Sequence, residues 1–171
     1  MPANGADRDD TLAWSALRDG AIVLLRHANA PGVGDPPAFR LGDCSTQRNL
    51  DEVGRSQARR IGAAFVQEKV GVGKVMASQW CRTLETADLA FPGKVAAQAA
   101  FNSFFQNNTR AVQQTETARA LLQDWSGPGA LVVVTHQVNI SALTGIVPAS
   151  GEGVVLRRSG PALVPVGRIR P

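Results

Sequence analysis

Two histidines occur in this chain of 171 residues, and each sits where an apolar run stops. Ala21-Ile22-Val23-Leu24-Leu25 ends in Arg26-His27, and Leu131-Val132-Val133-Val134-Thr135 ends in His136. In open α/β sheets ligands bind outside the carboxyl ends of the strands, so histidines delivered there by different strands can converge on one small object. A third run, Val75-Met76-Ala77-Ser78, leads into Gln79-Trp80-Cys81-Arg82 and brings another permanent guanidinium to the same edge if the three strands are parallel neighbours. Two arginines and two histidines with no carboxylate between them make an anion pocket. The anion that suits these donors is phosphate.

The elements that must position these residues alternate between strand and helix, the order of a mostly parallel sheet covered on both faces. The first strand is predicted over 21–25, and a long loop over 29–49 follows, carrying Pro31, Gly32, Gly34, Pro36 and Pro37. Loops of that length in compact domains are usually functional. Asp51 is a good N-cap for the next helix, which places Val53, Gln57 or Ala58, Ile61 and Phe65 on one face and is stopped by Gly71 and Gly73. A second strand over 74–78 precedes a short helix over 83–90. A helix over 109–125, with Val112, Thr115, Ala118, Leu122 and Trp125 along one side, leads to the strand at 131–135. A short helix over 139–143 and an edge hairpin, 154–156 with 162–166, complete the chain. The predicted fold class is thus α/β, a three-layer sandwich with a mostly parallel central sheet and helices on both faces.

Length and composition bound the rest. The chain suits one domain with a proper core, and its 44% hydrophobic and 19% charged content is that of a soluble globular protein. A polar tail over 1–12 is expected to be disordered or processed, with the folded domain over 13–171. The formal charge of +4 is a weak bias toward anions. With no long basic run, no aromatic ladder and no Tyr, a nucleic-acid face is not expected. Apolar runs are strand-sized, so no membrane span is expected. As written the chain reads as cytoplasmic, and a periplasmic or secreted protein stripped of its signal would start the same way. The spacings of His27, His136, Cys44 and Cys81 match no metal pattern, and Arg26 and Arg82 would repel a cation. No metal or organic cofactor is expected. Cys44 and Cys81 read as two free thiols, or as a disulfide if the compartment is oxidising. Trp80 reads as core or as a wall of the pocket.

Arg26-His27 after the first strand, Ser78 to Arg82 with Thr83 and Thr86-Ala87 behind it, and Thr135-His136 after a late strand together resemble the histidine phosphatase superfamily. Phosphoglycerate mutases belong to it, and the similarity, over roughly residues 20–145, is to its small phosphatase branch. The resemblance implies a phosphoglycerate mutase-like fold, His27 as the nucleophile that takes up a phosphoryl group, and Arg26, Arg82 and His136 as the groups that hold its oxygens. A backbone carbonyl is expected to fix the His27 tautomer so that the attacking nitrogen is neutral. Arg48 resembles a further phosphate-binding arginine of the family's first loop, and it also reads as an exposed arginine before a helix. The partner implied is a small phosphorylated substrate or a phosphorylated protein.

Three departures from the family pattern matter. Ala28 follows His27, where the motif most often has Gly, and the stretch that carries a glutamate acid in many members, Phe101 to Asn108, holds no carboxylate. Gln137, not Asp, follows His136. General acid catalysis is worth roughly 10² to 10⁴ in rate, so the proton must come from elsewhere or not be needed. Asp43 is the first candidate acid and Asp35 the second. A phosphoramidate or acyl phosphate substrate would need less help. A mutase-like phosphotransferase, and a low-activity member that merely binds a phosphorylated ligand, are the remaining readings.

Overall fold

The computed structural model describes residues 5–171, with side chains from Asp9 onward. Helix α1 (Gly5–Arg18) leads into β1 (Ile22–Arg26), and a long loop containing a 3₁₀ turn at Cys44–Thr46 follows. Next come α2 (Glu52–Gln67), β2 (Val72–Ala77), α3 (Cys81–Ala90), β3 (Val95–Ala97) and a second 3₁₀ turn at Ala99–Phe101. The chain then forms α4 (Ala111–Gln123), β4 (Ala130–Thr135), α5 (Gln137–Thr144), β5 (Gly153–Ser159) and β6 (Ala162–Ile169). The six strands form one sheet in the order β3-β2-β4-β1-β5-β6. β3, β2, β4 and β1 are parallel, and β5 and β6 add an antiparallel edge. The three site-bearing strands are therefore parallel neighbours in the order β2, β4, β1, as the chemistry required.

The central strands are buried on both faces, which is why they read as unbroken apolar runs. Alternate residues divide between two cores. Val23, Leu25, Val132 and Val134 face α1, α2 and α3 through Trp14, Leu17, Ile61, Phe65 and Ala87. Ile22, Leu24, Leu131 and Val133 face α4 and α5 through Ala118, Leu122, Ile140 and Leu143. Phe65 anchors the first core, edge-on to Trp14 at 5.2 Å and to Phe91 at 5.0 Å.

Several boundaries depart from the sequence expectation. Residues 5–12 of the expected tail belong to α1, which turns Ala13, Trp14, Ala16 and Leu17 into the core; the sequence up to Asp10 is polar and carries no helical pattern. Residues 1–4 of that tail lie outside the described residues. Asp51 caps α2 as predicted, its carboxylate accepting from the Gly54 amide at 2.8 Å. Val53 is 64% exposed, however, and Gly54 takes the inward place at the start of the helix. A Cβ at Gly54 would lie 2.0 Å from the Asn29 carbonyl oxygen, so only glycine lets α2 approach the segment after His27. The helix ends at Gln67, before Gly71 and Gly73, and Lys69 takes the left-handed turn. In α4, Ala118 and Leu122 are buried as expected but Val112 is 81% exposed. β3 is a three-residue edge strand, too short for a periodicity argument to find.

Candidate active site

A cleft of about 180 Å³ opens at the carboxyl ends of β1, β2 and β4, and Arg26, His27, Arg48, Arg82 and His136 all line it. Arg26 is the last residue of β1, while His27 and His136 immediately follow β1 and β4, so register-paired parallel strands deliver them side by side. Their rings lie 5.5 Å apart, centroid to centroid. Arg82 stands in the first turn of α3, which the short Ser78-Gln79-Trp80 link joins to the end of β2.

His27 is 2% exposed, and its Nδ1 lies 2.8 Å from the Ala28 carbonyl oxygen. A carbonyl only accepts, so Nδ1 carries the proton and Nε2 presents a lone pair. Arg82 Nε donates to that Nε2 at 3.3 Å. Burial, helped by the nearby guanidiniums of Arg82, Arg26 and Arg48, brings the His27 pKa down to about 3. His136 is likewise buried and driven well below the ordinary histidine range, first by desolvation and then by His27 and the same arginines. Both imidazoles are neutral at pH 7. The expected tautomer of the nucleophile candidate is present, set by the expected kind of partner.

The backbone after His27 is braced from several directions. Ala28 N donates to the Thr86 hydroxyl on α3 at 3.1 Å. Asn29 N donates to the Gln57 amide oxygen at 2.9 Å, and the Gln57 amide nitrogen donates to Ser150 O at 2.9 Å. Gly151, at φ 74°, has no room for a side chain because Gln57 would lie 2.4 Å from its Cβ. That same 147–152 segment holds Arg26, whose Nη1 donates to Pro148 O at 3.0 Å. It is itself tied down by Glu152, a buried carboxylate that accepts from Ala149 N at 2.8 Å and pairs with Arg168. Burial, more than the neighbouring Arg82 charge, makes the Arg26 cation less favourable than an exposed guanidinium.

Arg48 comes from the loop. Its Nε donates to Gly34 O at 2.6 Å, and its Nη1 donates to Ala30 O. The exposed-arginine reading is thereby set aside: Arg48 is half-buried and lines the cleft. The loop is fixed to α3 by a disulfide between Cys44 and Cys81, with Cα atoms 5.7 Å apart, and by the Cys81 amide donating to Gln47 Oε1 at 2.9 Å. The reading of two free thiols is corrected accordingly: the loop folds back so that Cys44, distant in sequence, meets the first turn of α3.

Two further expectations change. No carboxylate was expected among the cationic groups, yet Asp35 lines the cleft and accepts from Arg82 Nη1 at 2.8 Å, Arg48 N at 3.0 Å and Trp80 Nε1 at 3.0 Å. Despite burial, these donors hold Asp35 below the ordinary carboxylate range, so it is an anion with no proton to give. Asp43, the first candidate acid, does not reach the cleft. It caps the 3₁₀ turn, accepting from Ser45 Oγ at 2.6 Å, and pairs with Arg40 at 2.8 Å. The Ser45 and Arg40 hydrogen bonds also hold its pKa low, so it too is deprotonated at neutral pH.

Ser78 is a site residue whose role sequence reasoning missed. Its Oγ lies 2.8 Å from His136 Nε2, and the sequence shows Ser78 as the end of a strand and the start of the Ser78-to-Arg82 motif with no sign of that contact. Trp80 is half-buried, stacks on Phe39 at 4.9 Å and meets the His136 ring edge-on at 5.6 Å, so it backs the pocket rather than filling the core. Among the described residues, the buried Arg26 Nε and His136 Nδ1 have no hydrogen-bond partner. Both residues line the cleft, where an anion could satisfy them.

The backbone is similar to those of known proteins. The SixA protein histidine phosphatase, solved with tungstate, superposes at a TM-score of 0.58 over 87% of this chain and 96% of its own, with 14% identity. The phosphoglycerate mutase of Thermus thermophilus gives 0.58, 88% and 99%, with 15% identity. A mycobacterial glucosyl-3-phosphoglycerate phosphatase, solved with VO₃, gives 0.58, 81% and 92%, with 16% identity. No protein-family model and no curated protein sequence matches the chain. The chain shares the fold of these proteins, the phosphoglycerate mutase-like arrangement that the family resemblance implied.

Proposed function

We propose that this chain is a metal-independent phosphatase that hydrolyses a phosphomonoester or phosphoramidate through a phosphohistidine on His27. One observation carries the reading: an uncharged imidazole, its Nδ1–H held by Ala28 O at 2.8 Å, presents its Nε2 lone pair in a cleft lined by Arg26, Arg48 and Arg82. In the first step Nε2 attacks phosphorus, the N–P bond forms, and the bond to the leaving group breaks with its electron pair. In the second, water attacks phosphorus and the N–P electrons return to Nε2 as its lone pair; the proton lost by water passes to the phosphate released. Arginine donors stabilise the charge on the three equatorial oxygens in both steps. If Ser78 donates its hydroxyl proton to His136 Nε2, the unpartnered Nδ1 is an N–H that points its hydrogen bond at a phosphoryl oxygen.

The leaving group decides the substrate class. Asp35 is the one carboxylate among the described lining residues and it is ionised, so no carboxylic acid stands ready to protonate an alkoxide. This favours phosphoramidates, acyl phosphates and aryl phosphates over alkyl phosphates. The substrate is a small phosphorylated molecule or a phosphorylated protein. No described helix is long and apolar enough to cross a membrane, and the Cys44–Cys81 disulfide favours an oxidising compartment.

The test is a comparison of p-nitrophenyl phosphate and phosphohistidine with glycerol phosphate, together with ³¹P NMR of the rapidly denatured enzyme. Turnover of the first two, slow turnover of the third and a phosphohistidine resonance are expected. A fully folded protein that turns over none of them would be left as a phospholigand-binding member of the fold.

A further inference from the structure

We propose that Asp35 is the resident counter-charge of the cleft, a positioning residue that holds Arg82 against His27 and keeps phosphate affinity low enough for the product to leave. The inference rests on the phosphatase reading above. The Asp35 side chain is 2% exposed and its Arg82 partner 3%, so this ion pair is shielded from water on both sides. Three donors from two segments reach it: Arg82 in the first turn of α3 and the Trp80 indole just before that helix, and the loop amide of Arg48. Removing one member of such a pair leaves an uncompensated buried charge.

Two consequences follow from the geometry. The Arg82 guanidinium is planar, so the Asp35 carboxylate on Nη1 at 2.8 Å, with the Arg48 carbonyl on the same Nη1 at 3.3 Å, fixes its direction and with it the Nε that meets His27 Nε2 at 3.3 Å; of these two acceptors only Asp35 is charged. Asp35 also sets the charge. Three guanidiniums and one carboxylate among the described lining residues, with both histidines neutral, leave two positive charges, the match of a phosphate dianion. Without Asp35 the cleft would carry a third positive charge and hold inorganic phosphate more tightly, a gain in ground-state binding that does nothing for the chemical step.

The experiment measures inorganic phosphate binding by calorimetry and p-nitrophenyl phosphate kinetics for wild type, Asp35→Asn and Asp35→Glu. Asp35→Asn is expected to bind phosphate roughly tenfold more tightly while kcat falls roughly tenfold or more, because charge is gained and Arg82 loses its guide. Asp35→Glu keeps the charge but moves the carboxylate, so phosphate affinity stays within about twofold of wild type while kcat falls. A merely structural role would weaken phosphate binding and kcat together. Unchanged or weaker phosphate binding in a folded Asp35→Asn therefore overturns the proposal. If that variant does not fold, Asp35→Glu decides: tighter phosphate binding or an unchanged kcat overturns it. A folded wild type that turns over neither p-nitrophenyl phosphate nor phosphohistidine would instead overturn the phosphatase reading.

Discussion

The cleft has two walls built in different ways. One is the strand-end wall, where Arg26, His27 and His136 stand at the tips of β1 and β4 on backbone paired residue for residue from Ile22–Leu131 to Arg26–Thr135. The other is the loop wall, where Arg48 and Asp35 have no regular secondary structure beneath them and are held by carbonyls, amides, an indole and a disulfide. Hydrogen-bonded strands buried on both faces place a side chain by their register, and loosening them means opening the core. The loop wall is a network in which each contact carries a share. The proposed nucleophile therefore sits on the rigid wall, while the residues proposed to tune the charge of the cleft sit on the adjustable one.

The largest effect should come from the rigid wall. His27→Ala is expected to abolish p-nitrophenyl phosphate turnover, since no covalent route remains; wild-type rates in that variant would end the mechanism. Next, Arg82→Ala and His136→Ala should each lower kcat by about 10² to 10³, the usual loss for one preorganised donor to a developing oxyanion. Effects below tenfold for both would mean that phosphate lies elsewhere in the cleft.

Releasing the loop wall should cost less activity and more stability. The paired change Cys44→Ser and Cys81→Ser opens a covalent loop with a sequence separation of 37 and is expected to lower unfolding free energy by about 3–4 kcal/mol. Steady-state kinetics of the folded variant should show roughly a tenfold loss in kcat/KM, with His27 still phosphorylated. An unchanged kcat/KM would show that the other loop contacts hold Arg48 by themselves.

pH separates the walls in another way. His27 and His136 are buried neutral with lowered pKa values, so below the ordinary histidine pKa of about 6.5 the unfolded chain binds protons that the native state refuses. Stability should therefore fall as pH drops from about 6.5 toward the folded-state value of about 3 for His27, at up to about 1.4 kcal/mol per pH unit for each histidine. Urea denaturation at pH 7 and pH 5 measures it, and His27→Ala should flatten the slope. The smallest effect is expected at Asp43. Asp43→Asn should change turnover by less than about twofold, equally for alkyl phosphates and p-nitrophenyl phosphate, because only a proton donor discriminates between leaving groups. A selective loss on alkyl phosphates would restore Asp43 as the acid.

What the sequence determined by itself was the rigid wall. Buried parallel strands must be continuous apolar runs, so Ile22 to Leu25, Val75 to Ala77 and Leu131 to Val134 announce themselves, and whatever ends such a run lies at one sheet edge. Arg26, His27 and His136 could be placed at strand ends on that ground, and Arg82 beside them on the condition that the three strands are parallel neighbours, which the sheet order met; Asp51 was readable as a cap because capping is local. Only the tertiary structure decided the loop wall. Asp35 and Asp43 lie in the same polar segment with nothing local to tell them apart, yet one meets Arg82, 47 positions away, and the other turns back on Arg40. The Cys44–Cys81 bridge, the Trp80–Asp35 bond and the Ser78–His136 contact likewise join residues 37, 45 and 58 positions apart. Periodicity and capping report only on neighbours within a turn or a strand, so a loop whose course is set by partners from distant elements acquires its chemistry when those elements pack.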